Sequence, residues 1–143
     1  MRNMKRLSLP ALILLIPALL WANEKETMFQ ALGQFEQVWR STTPCSSNAC
    51  QTREIWLAQQ AAQAADRYLD TPDAKEHHSR HWRLVALSFI KYSQARTEAH
   101  AGYVHSRHRD LEALEHEFRA DLKAALRSDV NSREITQRFG LDY

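Results

Sequence analysis

The sequence predicts an all-α protein: a compact antiparallel bundle of about four helices plus a short C-terminal helix, after an N-terminal signal peptide. Three observations carry this. Apolar residues recur three and four positions apart in segment after segment, the spacing of one helix face. Only 3 Gly and 4 Pro occur in 143 residues, too few for a turn-rich β-sandwich. No stretch alternates apolar and polar residues convincingly enough to read as a strand. Hydrophobic residues make up 44% and charged residues 25%, which excludes wholesale disorder.

Residues 1–22 read as a signal peptide. Arg2, Lys5 and Arg6 form a basic head. The apolar stretch Leu7 to Leu20 follows, broken by Pro10 and Pro17. Trp21 and Ala22 then lead into polar Asn23 and Glu24. The apolar stretch falls short of the ~20 residues that a spanning helix needs. The expectation is cleavage after Ala22, with an uncleaved anchor as the alternative. Residues 23–143 form a single exported domain, periplasmic or secreted. Removal of 1–22 takes away three of 19 basic residues and none of the 17 acidic ones, leaving a net charge of −1. A near-neutral domain lacks the concentrated basic face that nucleic-acid binding requires.

The helices are expected in this order. Met28, Leu32, Phe35 and Trp39 make one stripe, placing the first helix at about Thr27 to Ser41. Pro44 ends it. The second helix runs from about Gln51 to Leu69, with a small-sided face of Ile55, Ala58, Ala62, Ala65 and Leu69. Thr71 suits an N-cap and Pro72 a first helical position, so a third helix runs from Pro72 to about His100. Its middle, Trp82 to Tyr92, is apolar around most of its circumference, which predicts a central, buried element. A turn is expected near Gly102, because one helix from Pro72 to Leu126 would be about 80 Å long. The fourth helix, about Ser106 to Ser128, carries Leu111, Leu114, Phe118, Leu122 and Ala125 on one face. Asn131 and Glu134 have the spacing of a capping box for a short last helix that ends at Gly140.

Cys45 and Cys50 are the two cysteines. In an exported loop they are expected to pair as a structural disulfide. The seven histidines are more distinctive. His77, His78 and His81 lie early in the third helix; His100, His105 and His108 gather around the Gly102 turn; His116 follows. The string His-Ser-Arg-His occurs at 78–81 and again at 105–108. Paired imidazoles suit zinc or copper. A hairpin at Gly102 would hold the two strings at opposite ends, which leaves His100, His105 and His108 as the metal candidate. The competing reading is solvated histidines on polar faces. Met28 with His116 could ligate a haem, but Met28 also completes the first apolar stripe.

No nucleophile elbow is present, and His116-Glu117 lacks the second His, at position 120, of a zinc-protease helix. The functional expectation is therefore a non-enzymatic, exported helical protein without a cofactor. It would act by binding another protein, as an accessory, inhibitor or immunity protein does. Trp56, Tyr103 and Tyr143 are the candidate contact residues, since Trp and Tyr favour protein interfaces. A His-rich metal-binding or metal-sensing protein is the alternative. Neither nucleic acid nor, after cleavage, stable membrane insertion is expected.

Overall fold

The computed structural model describes residues 24–38, 47–100 and 108–142. These residues form six α-helices and one short 3-10 turn, with no strand among them. The helices are α1 (24–38), α2 (Asn48–Leu69), α3 (Pro72–Lys75), α4 (Arg80–His100), α5 (His108–Ser128) and α6 (Ser132–Phe139). The 3-10 turn, His77–Ser79, joins α3 to α4. The all-α class is as expected. Residues 1–22 and Cys45 lie outside the described residues.

Four long helices form the bundle, and their pairings fix the directions. Arg96 meets Glu54 at 3.2 Å and the Ser93 hydroxyl donates to the Ala58 carbonyl at 3.1 Å, so α2 and α4 run antiparallel. Phe89 touches Phe118 while Trp82 reaches Asp129, so α4 and α5 are antiparallel too. The turn expected near Gly102 lies outside the described residues. Phe29 packs on Trp82 and Phe35 on Phe89, which runs α1 parallel to α4.

Of the expected α1 stripe, Met28, Leu32 and Phe35 are fully covered, joined by Phe29, and Trp39 lies outside the described residues. The α2 stripe sits one step around from the predicted one. Leu57, Ala58, Ala61, Ala64, Ala65 and Tyr68 are buried, whereas Ile55, Ala62 and Leu69 are half-buried. The small alanines bring the α4 backbone close enough for Ser93 to reach Ala58.

Two expectations need correction. The third helix is not continuous. Glu76 is extended, with φ −73° and ψ 148°, and separates α3 from α4. In one helix, Ala74 and Ser79 would lie about 140° apart around the axis. Both are fully buried, and the break lets both face inward. Arg83 secures the short helix by donating to the Ala74 carbonyl at 2.7 Å. The second correction concerns the apolar middle of α4. Trp82, Val85, Ala86, Phe89 and Tyr92 are buried, but Leu84 and Leu87 are 46% and 42% exposed. With bundle neighbours on only part of its circumference, α4 leaves one side to solvent.

At one end of the bundle, α6 folds back onto α1. Gly33 makes this approach possible: a Cβ there would lie 1.8 Å from the Phe139 carbonyl oxygen. Phe139 stacks at a tilt on Phe29, and Leu141 is fully buried beyond it. Gly140 takes the left-handed conformation, φ 71°, that ends α6. The expected capping box is absent. Asn131 makes no side-chain cap. Asp129 instead accepts from the Asn131 N–H at 2.8 Å, and its other oxygen accepts from the Trp82 indole N–H at 2.8 Å.

Candidate functional site

The sequence-derived candidates fall in different places. Trp56 stands on the outer side of α2, 56% exposed. Gln59 and Gln63, three and seven residues on along the same face, open a shallow groove that Ala62, Ile90, Ser93, Gln94, Thr97 and Glu98 complete. Tyr103 and Tyr143 lie outside the described residues. His100 closes α4 and His108 opens α5, but His105 and the His108 side chain lie outside the described residues, so the trio is not placed. Among the described residues, no three His, Cys, Asp or Glu side chains converge on a possible metal position. His77, His78 and His116 are exposed and His81 is half-buried. Met28 is in the core, on the stripe it completes, and His116 faces solvent. Cys50 sits in the first turn of α2, its N–H held by the Ser47 hydroxyl at 3.1 Å.

Two polar constellations emerge that sequence patterning did not single out. The first crosses the interior. Glu36 on α1 is 1% exposed and pairs with Arg119 on α5. Arg96 on α4 pairs with Glu54, donates to the Tyr92 hydroxyl at 3.2 Å, and lies over the rings of Phe35 and Tyr92. Partial burial pushes the Glu115 carboxyl up, against the pull of Arg119 and Arg96. Burial likewise pushes the Tyr92 hydroxyl up to about 12, with Arg96 opposing. This cluster joins all four long helices with charges, a locking role more than a binding one, because aromatic rings cover it.

The second constellation lies at the α6 end. Asp73 is its hub. Lys25 approaches Asp73 at 3.3 Å, His78 at 3.4 Å, and the Tyr68 hydroxyl donates to it at 3.4 Å. Partial burial works against the Asp73 charge, yet the Lys25 ammonium prevails and holds its carboxyl below the usual range. The same burial, with the Asp73 charge beside it, pushes the Tyr68 hydroxyl up. Ser79 is fully buried beside them, its hydroxyl without a hydrogen-bond partner among the described residues.

Beside this hub opens a cavity of about 490 Å³. Its apolar floor is Phe29, Ile135, Phe139 and Pro72; its rim carries Lys25, Glu26, Asp73, Asp129, Asn131, Glu134 and Arg138. A second cavity of about 360 Å³ adjoins it, sharing Lys25, Asp129 and Asn131 and reaching His78 and His81. The floor arises because α6 leans on α1 at Gly33 while α3 ends short. The signals in the sequence were the Thr71-Pro72 start and the helix start at Asn131, both legible as helix punctuation. Their meeting in space was not.

The chain matches no family model, no curated protein and no solved structure. Among the described residues, no helix is long and apolar enough to cross a membrane.

Proposed function

We propose that this chain is an exported, non-enzymatic helical protein that acts by binding another protein, with Trp56 as an anchor of the contact surface. The observation that carries the reading is the 56% exposure of the Trp56 indole on the outer face of α2. A tryptophan contributes more contact area than any other side chain and is enriched among interface hot spots. The core aromatics of the bundle pack against one another, and Trp56 is not among them. The groove that starts at Gln59 continues the surface with Ala62, Ile90 and mostly uncharged polar side chains, Glu98 being the charged one among its lining residues.

Removal of residues 1–22 and pairing of Cys45 with Cys50 belong to the same reading. The mature exported protein should begin near Asn23 in an intact-mass measurement, with two hydrogens missing for the disulfide.

The test is co-purification of the exported protein from the cells that make it, comparing wild type with Trp56→Arg. The variant should keep its helical signal and melting temperature, since more than half of the Trp56 side chain is exposed. A partner retained stoichiometrically by wild type and lost by the folded variant supports the reading. A partner retained equally by both moves the surface away from Trp56. Wild-type protein that is monomeric and alone after mild cross-linking in the exporting cell overturns the reading.

A further inference from the structure

We propose that the cavity between α1, α3 and α6 is a binding site for a small organic cation, an amine or amidinium carried on an apolar body. It is separate from the Trp56 surface: Trp56 precedes Leu69, at the α3 end of α2, by about 20 Å of helical rise. The cavity volume of about 490 Å³ falls within the range of small-molecule sites.

The chemistry of the walls selects the ligand. Phe29 and Ile135 are 4% and 6% exposed, and with half-buried Phe139 and exposed Pro72 they form an apolar floor. Of the charged rim groups, four are already matched. Lys25 pairs with Asp73 at 3.3 Å, and Arg138 pairs with Glu26 at 3.3 Å. Two carboxylates remain without a cation among the described residues. Glu134 is one. Asp129 is the other, its charge met only by the neutral donors Trp82 and Asn131. The rim thus carries two unmatched negative charges beside an apolar floor. The rings already attract cations: Lys25 lies 6.0 Å from the Phe29 centroid and Arg138 5.0 Å from that of Phe139. A ligand would lay its apolar body on Phe29, Ile135 and Phe139 and direct its cation to Glu134 and Asp129, with the Asn131 amide as a further polar contact. An anion would meet the unmatched carboxylates, and a neutral ligand would forgo them.

The experiment uses three probes of similar shape: benzylamine, benzyl alcohol and benzoate. Each is titrated into the purified exported protein at neutral pH, with affinity from calorimetry and location from amide chemical-shift changes. Benzylamine should bind saturably at low ionic strength and shift resonances of α6 and the start of α1. Benzyl alcohol should bind about tenfold more weakly, and benzoate not at all. Glu134→Gln, at an exposed position that should not disturb folding, should weaken benzylamine about tenfold and leave benzyl alcohol unchanged. Saturable binding that ignores the probe's charge, shifts that map away from α6, or no benzylamine binding at millimolar concentration would each overturn the proposal. All of these outcomes are independent of whether Trp56 holds a partner.

Discussion

The approach of α6 to α1 at Gly33 invites the most direct test of the packing argument. In Gly33→Ala the new Cβ would sit 1.8 Å from the Phe139 carbonyl oxygen, about 1.6 Å inside the 3.4 Å of ordinary contact. The obstacle is backbone, not a side chain that could swing aside. Helix α1 is held by Phe29 and Phe35 against α4, so α6 must give way. Overpacking of this kind costs about 1–3 kcal/mol. The ceiling is set by full detachment, which exposes Ile135 and Leu141 at about 1.5–3 kcal/mol each. Against this, Ala gains up to about 1 kcal/mol of helix propensity over Gly. The expected net loss is about 1 kcal/mol. Urea denaturation measures it, with exposed Gln34→Ala on the same helix as the control. Hydrogen exchange should show α6 amides losing protection before those of α4, and the cavity should lose benzylamine binding. A variant as stable as wild type, with α6 protection intact, would refute the reasoning.

Glu36→Gln removes the buried charge that faces the Arg119 guanidinium and should cost about 3 kcal/mol by urea denaturation, while Glu36→Leu with Arg119→Met should cost less than that single change. Asp73 ionises below its ordinary range, so its contribution to stability is present above about pH 4 and is lost as pH falls through its folded-state value. Asp73→Asn should lower stability at neutral pH by under about 1 kcal/mol, since the side chain is 37% exposed, and should flatten the acid limb of a pH-stability curve. Tyr92 works at the other extreme: raised to about 12 by burial, it stabilises the fold fully below pH 10 and progressively less above, so Tyr92→Phe should blunt alkaline unfolding followed by circular dichroism. The proposed pairing of Cys45 with Cys50 would enclose a short loop, so on that proposal replacing both by Ser should cost about 2 kcal/mol and leave the helical content unchanged.

The all-α class and the long helices were legible because amphipathic periodicity is a local property: the spacing of Met28, Leu32 and Phe35 requires no knowledge of neighbours. What periodicity could not convey was which side of α4 meets nothing. Leu84 and Leu87 look like core residues in a run that is apolar all round, and only the placement of α2 and α5 exposes them. The break at Glu76 was hidden for the opposite reason, because no Gly or Pro marks it. Burial of both Ala74 and Ser79 imposes it from a distance. The bundle-end cavity depends on contacts more than a hundred residues apart, such as Arg138 with Glu26, and no spacing rule reaches that far. Trp56 lies off the apolar stripe read from the sequence, and in the structure it is 56% exposed.

The extended residue at Glu76 also sets how the chain tolerates changes of length. Along an unbroken helix, one inserted residue rotates everything beyond it by about 100° and turns the core face outward. At Glu76 and His77, both exposed, the helical register is already interrupted. Extra residues there would lengthen a surface connection while Arg83 still reaches Ala74 and α4 keeps its alignment with α2 and α5. The same addition after Val85 would unseat Phe89 and Tyr92 together. The junction is thus the natural place for an epitope or a labelling tag inside this chain, and a place where related sequences could differ in length without a change of fold.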